Sequence, residues 1–249
     1  MVQLEICIDS VESAIAAQQG GANRVELCSA LFEGGLTPSV GMLKCVLKAV
    51  SVPVFVMIRP RGGDFLYSEL ERAVMHEDVV ALKAAGAHGI VLGALNADGT
   101  IDVDFCRALI AAARPLPVTF HRAFDMSRNL EESMSALISL GVERVLTSGM
   151  EATAFEGCDN IRAMIAQAEG SGLIVVPGGG ITERNLPKIL KTTGATECHC
   201  SARQSYDSRM VYRNTGVFMG GTLRPPEFST SITHAGRVAG VVAAARLAQ

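Results

Sequence analysis

The 249-residue sequence lacks the features that mark several classes of protein. It has no dense lysine and arginine stripe: 22 basic residues face 25 acidic ones, and the net charge is −3. We therefore expect no nucleic-acid surface, because such surfaces concentrate positive charge. No apolar run approaches the roughly 20 residues that a membrane-spanning helix needs, so no membrane association is expected. The N-terminal sequence MVQLEICIDS has no basic region followed by an apolar stretch, which predicts no secretory signal and a cytoplasmic location.

The sequence also lacks the signs of structural disulfide bonds and of linkers between domains. The seven cysteines are odd in number, and a chain of this length buries a sizeable core without them. We expect reduced thiols, most of which behave as small buried hydrophobes. No composition break and no Ser/Gly/Pro-rich linker divides the chain. The sequence therefore predicts a single domain over residues 1–249.

Apolar runs of strand length alternate with longer helical patterns along the chain. Eight such β/α units, with crossovers long enough for parallel strands, predict a single (β/α)8 TIM-type barrel. A doubly wound sheet is less suitable, since its strands would be apolar on both faces. The predicted strands lie near residues 4–8, 24–28, 54–58, 89–92, 117–121, 144–147, 173–177 and 196–200. The predicted helices lie near 10–19, 38–50, 68–85, 102–113, 130–140, 159–169, 182–192 and 233–247.

Three further signals concern the ends of these elements. Ser10 and Asp102 precede helical patterns and are expected to cap them. Thr182 is expected to open the helix after the glycine-rich turn VVPGGGIT. Segment 203–232 follows strand eight and is long and irregular, so we expect it to lie over the catalytic face of the barrel.

Polar side chains recur at every second position of several predicted strands. Because successive strand side chains point to opposite faces, one face is apolar and the other carries thiols, carboxylates, Arg and His. In a closed barrel these polar faces converge on one interior with a functional mouth. The residues expected to face inward are Glu5, Cys7 and Asp9; Glu26 and Cys28; Met57 and Arg59; Thr119 and His121; and Glu197 and His199.

Cys7 and Cys28 are the sharpest candidate pair for a metal site. Both are expected to face inward on adjacent strands, which lie about 4.8 Å apart. Thiolate and thioether ligands favour soft Cu(I), and Met57 and His121 are candidates for the same pocket. Two alternatives stay open: inward residues of neighbouring strands belong to different barrel layers, so the sulfurs need not meet, or the pair forms a disulfide.

A second hypothesis treats the barrel as an enzyme acting on a small anionic or phosphorylated substrate. Arg59 and Arg61 would hold the anion, and the glycine turn would offer free amides. His121 or His199 would transfer protons. The catalytic residues in this hypothesis are Glu26, Arg59, His121, Asp125 and His199. Its anion-binding residues are Arg61, Gly178, Gly179, Gly180 and Ser201.

Structural interpretations compete with both hypotheses. In one, Arg59 forms a buried ion pair with Glu5, Glu26 or Glu197. The run Cys198-His199-Cys200 resembles a metal clamp, but alternation directs its two sulfurs outward and His199 inward. We therefore do not expect this run to bind a metal through three ligands.

Eight long motifs follow one another along the chain: EICIDSVESA, RVELCSALFEGGLTPS, IRPRGGDFLYS, VTFHRAFD, RVLTSG, PGGGIT, ECHCSAR and YRNTG. In this order they resemble the CutC family of copper homeostasis proteins, and animal members above all. The resemblance covers the chain to about residue 220. It implies a TIM-type barrel, a homo-oligomer (dimer or tetramer), and a cytoplasmic location with the nucleus as a second one. It also implies Cu(I) binding, with Cys7 and Cys28 at the copper-associated cysteines of animal members, and no established catalysed reaction.

Overall fold

Eight parallel strands form the wall of a barrel in the computed structural model, which describes residues 2–220 and 226–247. The strand order is β7-β6-β5-β4-β3-β2-β1-β8, and a bridge between Gly178 and His199 joins the two ends of the sheet. The predicted (β/α)8 TIM-type barrel is thus confirmed. Strands β1 to β8 are Gln3–Ile8, Arg24–Leu27, Val54–Met57, Gly89–Leu92, Val118–Phe120, Arg144–Thr147, Ile174–Pro177 and Glu197–Cys200.

Helices follow the strands and cover the outside of the barrel. Ser10 caps the first helix, where its side chain accepts a hydrogen bond from the Ser13 amide, and Asp102 caps the fourth in the same way through the Phe105 amide. Both caps agree with the sequence prediction. Helices α1 to α8 are Val11–Gln19, Val40–Ala49, Glu69–Ala84, Val103–Ala113, Leu130–Leu140, Cys158–Ala168, Leu186–Thr193 and Ala235–Arg246.

The start of α7 differs from the prediction. The helix begins at Leu186 rather than at Thr182. The Asn185 side chain accepts hydrogen bonds from the Thr182 amide and hydroxyl, which forms a separate turn before the helix. The glycine-rich turn at 178–180 therefore does not lead directly into a helix N-terminus. The expected phosphate site thus lacks the free amides of a helix N-terminus beside the turn.

The segment after strand eight is partly regular. Its ends, Arg203–Asp207 (β9) and Ser229–Thr233 (β10), pair as an antiparallel ribbon. The ribbon packs beside α1, where the Thr233 amide donates to the Ser13 hydroxyl. The prediction of a long irregular segment was wrong at both ends, because residues more than 20 positions apart pair their backbones there. Part of the segment, 221–225, lies outside the described residues.

Alternation along the strands separates two apolar regions. Leu4, Ile6 and Ile8 of β1 are at most 2% exposed and lie in the large core between barrel and helices. Inside the barrel, a smaller cluster lies around the thiols; it consists of Cys7, Cys28, Phe55, Met57 and Val91. The inward and outward faces predicted for these strands are therefore the observed ones.

Candidate functional site

Cys7 and Cys28 meet inside the barrel, near the carboxyl ends of β1 and β2. Their Sγ atoms are 3.8 Å apart, and both residues are buried. Cys7 lies beside Glu26 in the strand register, and Cys28 follows one step beyond the end of β2. Both thiols also approach Glu26 Oε1, Cys28 Sγ at 3.3 Å and Cys7 Sγ at 3.7 Å. The different barrel layers of the two residues thus do not keep the sulfurs apart.

Hydrogen bonding separates the pKa values of the two thiols. The hydrogen bond with Cys28, helped by His199, lowers the pKa of Cys7 to about 6 in spite of burial. The same hydrogen bond and burial raise the pKa of Cys28 well above its usual value. At neutral pH the pair therefore consists of a Cys7 thiolate that accepts a hydrogen bond from the Cys28 thiol.

Two buried glutamates beside this pair titrate in opposite directions. Burial alone would raise the pKa of Glu5, but Arg24 and His199 outweigh it and lower the pKa to about 2. Burial raises the pKa of Glu26 to about 8, because the attraction of His199 is opposed by the nearby Cys7 and Glu5. Burial would lower the pKa of His199, yet Glu26, Cys7 and Glu5 hold it well above the usual value.

A three-residue group beside the thiols has the composition of a metal site. Cys7, Glu26 and His199 each offer one ligand atom, and these atoms all lie within 4.8 Å of one another. Glu26 Oε2 is buried and has no hydrogen-bond partner among the described residues. Cys28 lies directly against this group. The position can therefore hold a soft or borderline cation.

Below the thiols, toward the amino ends of the strands, charged residues form a closed network. Arg24 pairs with Glu5 at 2.5 Å and with Glu197 at 2.8 Å, and Arg144 pairs with Glu197 at 2.9 Å. His199 Nδ1 lies 2.8 Å from Glu5 Oε1. Sequence reasoning assigned such pairing to Arg59 and missed Arg24 and Arg144. Alternation was the available signal, since Arg24 is two residues before the inward Glu26.

Arg59 has a different role from the predicted ion pair. Its Nη1 donates to the carbonyl oxygens of Glu33 (2.8 Å) and Gly35 (3.2 Å), and its Nη2 donates to that of Gly63 (2.9 Å). It makes no ion pair with Glu5, Glu26 or Glu197 in the described part of the chain. The guanidinium thus links the loop after β2 to the loop after β3. It does so because it donates to their carbonyl oxygens rather than to a carboxylate.

His121 follows β5 and faces the interior, as predicted. Its Nδ1 accepts a hydrogen bond from the Ala123 amide at 3.2 Å, whereas its Nε2 has no partner within the described residues. Burial and the nearby Arg59 lower the pKa of His121 to about 3, so the ring is neutral at physiological pH. Because Nδ1 accepts, Nε2 carries the proton.

Asp125 does not orient a histidine. Its carboxylate accepts hydrogen bonds from the amides of Ser148 and Met150, from the Thr147 hydroxyl and from Arg122 Nε. These contacts fasten the loop after β5 to the loop after β6. The assignment of Asp125 as a partner of His121 or His199 was therefore wrong. Its carboxylate oxygens accept hydrogen bonds from the backbone amides of the loop after β6 instead.

The predicted anion-binding set does not come together. Arg61 is held on its own loop by Glu71 (2.5 Å) and Asp64 (3.1 Å). The guanidinium near the Gly178, Gly179 and Gly180 turn is instead that of Arg122, since a Cβ built on Gly179 would lie 3.3 Å from Arg122 Nη1. Ser201 contributes its carbonyl oxygen to the Thr233 hydroxyl. The structure therefore does not favour the phosphate-binding enzyme.

The Cys198-His199-Cys200 run behaves as alternation requires. Cys198 and Cys200 are buried in the outer core, and burial raises the pKa of both thiols. His199 alone reaches the interior, where it contacts Glu5. The run does not form a three-ligand clamp.

Two neighbouring cavities lie above the thiol pair. The inner one measures about 100 Å³ and the outer one about 610 Å³. The inner cavity is lined by Cys7, Glu26, Gly34, Met57, Arg59, Phe65, His121, Arg122, Leu146 and His199. The outer cavity shares Gly34, Arg59, Phe65 and Arg122 with it. The two cavities therefore adjoin each other, and Cys7 lies in the wall of the inner one.

Fold and site together define a TIM-type barrel with a thiol pocket at the carboxyl ends of its strands. The CutC family model matches residues 2–204, so the chain belongs to the CutC family. This confirms the family indicated by the motifs. In the described residues, every helix is too short or too polar to cross a membrane.

Several relatives are similar over nearly the whole chain. Copper homeostasis protein cutC homologs of Mus musculus and Homo sapiens are each 54% identical over 235 residues, which is 94% of this chain and 86% of theirs. The homolog of Dictyostelium discoideum is 43% identical over 269 residues, covering 97% and 96%. The family is thus shared with both animals and an amoeba.

Solved structures agree on the architecture. The copper homeostasis protein CutC of Streptococcus agalactiae has a TM-score of 0.77 and 32% identity, covering 81% of this chain and 99% of that one. Phosphoribosyl anthranilate isomerase of Thermotoga maritima has a TM-score of 0.61 at 13% identity, covering 99% of each chain. The second likeness shows the barrel fold alone.

Proposed function

We propose that this protein is a copper homeostasis protein that binds Cu(I) through Cys7 and Cys28 in intracellular copper handling. The observation that carries the proposal is the distance of 3.8 Å between two buried sulfurs. Metal–thiolate bonds are about 2.3 Å long for zinc, so one ion of similar size can contact both sulfurs. The names of the animal and bacterial relatives support copper as the ion.

The chemistry of the donor atoms suits Cu(I). Soft sulfur ligands select Cu(I), and Cys7 already favours the thiolate form that binds metals. Binding through both sulfurs releases the Cys28 proton, whose pKa is raised in the metal-free pair. Cu(I) uptake is therefore expected to strengthen as the pH rises.

Other residues of the pocket have distinct parts in this proposal. Met57 offers a thioether in the wall of the inner cavity, and His199 lies within 4.8 Å of Cys7 as a further donor. His121 is not a suitable ligand, because its Nδ1 accepts the Ala123 amide and its Nε2 holds the proton. Arg59 and Glu26 tune the charge around the ion.

The proposal includes a setting in the cell. Reduced thiols and Cu(I) both belong to a reducing compartment, so we place the protein in the cytoplasm, with the nucleus as a second location. A homo-oligomer, dimer or tetramer, is part of the same proposal. Its helices would pack between subunits, and light scattering of the purified protein measures the number.

Anaerobic competition against a colorimetric Cu(I) chelator tests the copper site. The reduced protein is expected to bind about one ion per subunit. Cys7→Ser and Cys28→Ser should each weaken binding by more than the roughly 10–100-fold that loss of an outer-shell partner costs. Cys45→Ser on the surface and Cys198→Ala in the outer core are matched controls that should bind like the wild type. Unchanged affinity in the double variant of Cys7 and Cys28 would refute the assignment.

A further inference from the structure

The wall above the thiol pair contains polar groups that are not among the proposed copper ligands. We propose that the mouth of the barrel binds a small organic monocarboxylate, whose carboxylate lies against His121 Nε2 and the Arg59 guanidinium. The rest of the molecule would occupy the outer cavity of about 610 Å³. This site goes beyond copper binding and does not depend on it.

The first argument is the unpartnered donor of His121. The residue is 3% exposed and lines the inner cavity, and its buried Nε2 has no hydrogen-bond partner among the described residues. Native proteins satisfy nearly all buried polar atoms, so an orphaned N–H beside a cavity indicates a missing acceptor. A carboxylate oxygen is such an acceptor.

The donor is also fixed in direction. Nδ1 is tied to the Ala123 amide, and the Phe65 ring lies 5.1 Å from the imidazole, centroid to centroid. On the opposite side the backbone passes so close that a Cβ built on Gly93 would lie 2.7 Å from Nδ1 and Cε1. The ring therefore cannot turn its free N–H toward another acceptor, and the site is preorganised.

The second argument is the uncompensated charge of Arg59. Arg59 is 7% exposed and lines both cavities, and it forms no ion pair with a carboxylate in the described part of the protein. Arg24, equally buried, pairs with two carboxylates. The Arg59 guanidinium is held by three carbonyl oxygens and lies 5.0 Å from the centroid of the Phe65 ring, and neither kind of contact neutralises its charge. A buried cation of this kind attracts an anion.

The charge of the site and the walls of the two cavities favour a monocarboxylate over a phosphate. One uncompensated cation and one neutral donor match a single negative charge. The remaining walls are largely apolar, with Phe65 and Leu95 among them, and the outer volume falls in the range of small-molecule sites.

Nuclear magnetic resonance of metal-free, reduced protein tests the proposal. The protein carries isotope-labelled histidine, and the probes are pyruvate and lactate, with inorganic phosphate as a separate arm. We expect pyruvate or lactate to shift the His121 Nε2–H resonance downfield in a saturable manner, with a dissociation constant on the order of 1 mM. Phosphate should produce a weaker, unsaturated shift.

Two variants separate the donor from a general effect on the ring. His121→Asn keeps a side-chain acceptor for the Ala123 amide but removes the Nε2 donor, and should weaken carboxylate binding by about tenfold or more. His88→Asn is the matched control, since His88 Nδ1 also accepts an amide, that of Val54, at the amino end of β4. It should bind carboxylates like the wild type.

Three results would overturn the site. They are the absence of saturable carboxylate binding by the wild type, equal binding by His121→Asn, and saturation by phosphate with no response to either carboxylate. If the His121→Asn variant fails to fold, the response of the wild-type His121 Nε2–H resonance to carboxylate still tests the proposal. An unmoved His121 signal during carboxylate titration rules the proposal out.

Discussion

The two ends of the barrel interior treat buried polar groups in opposite ways. Toward the amino ends of the strands, Arg24 and Arg144 pair with Glu5 and Glu197. At the carboxyl ends, Glu26 Oε2 and His121 Nε2 have no hydrogen-bond partner in the described residues. The charged side chains at the amino ends are therefore paired with one another, whereas a carboxylate oxygen and a ring nitrogen at the carboxyl ends lack a hydrogen-bond partner.

The charged layer toward the amino ends of the strands also contains an aromatic ring. The Phe55 ring lies between the two arginines, with their guanidinium carbons 4.8 and 5.6 Å from its centroid. Cation–π contacts and ion pairs together fill this layer. In TIM-type barrels such a layer serves stability, whereas chemistry concentrates at the carboxyl ends, and the contrast in this protein follows that division.

Removing one member of the closed network should produce the largest effect. Arg24→Met leaves Glu5 and Glu197 buried with less compensation, and we expect a loss of about 3–5 kcal/mol in the free energy of unfolding. Urea denaturation at pH 7 measures it. Arg162→Met, which breaks an exposed ion pair with Asp159, is the control and should cost less than about 1 kcal/mol. A change of under 1 kcal/mol for Arg24→Met would contradict the role of the network.

The two glutamates near the thiols sharpen the comparison. Glu5→Gln removes the partner of Arg24 and His199 and should cost about 3 kcal/mol at pH 7. Glu26, whose pKa is raised to about 8, is mainly protonated at that pH. Glu26→Gln should therefore change the free energy of unfolding by about 1 kcal/mol or less. Equal losses in the two variants, measured by urea denaturation, would remove the distinction between the ends.

His121 should leave a signature in the pH dependence of stability. The unfolded chain protonates this histidine near pH 6.5, but the folded protein, with a pKa of about 3, does not. The stability from the neutral ring is therefore present above pH 6.5 and is lost as the pH falls toward 3. Between pH 7 and 5 the wild type should lose about 2 kcal/mol more than His121→Asn. Parallel stability curves for the two proteins would argue against a neutral buried ring.

Arg61 should matter least for either end of the interior. Its ion pairs with Asp64 of the same loop and Glu71 of α3 are partly exposed, and 38% of its side chain is accessible. Arg61→Gln should cost about 1 kcal/mol or less in the free energy of unfolding and leave both Cu(I) and carboxylate binding unchanged. A marked loss of either ligand would restore Arg61 to the anion site.

Local pattern was sufficient for much of the fold. The eight strands, their helices and the two faces of β1 follow from periodicity, since alternation along a strand directs side chains without reference to distant residues. The same rule sent Cys198 and Cys200 outward and would have indicated Arg24 as an interior residue. The start of α7 was less predictable, because Thr182 and Asn185 are both plausible caps in sequence.

The sequence by itself determined the barrel, the family and which side chains face the interior, because these depend on short-range periodicity and on long ordered motifs. Only the tertiary structure decided that the sulfurs of Cys7 and Cys28 lie 3.8 Å apart and that Arg24 rather than Arg59 pairs with Glu5. It also decided that the Asp125 carboxylate accepts hydrogen bonds from the loop after β6. Long side chains reach several partners within a few ångströms. Which one they contact depends on strand stagger and loop carbonyls, and these arise only when distant segments pack together.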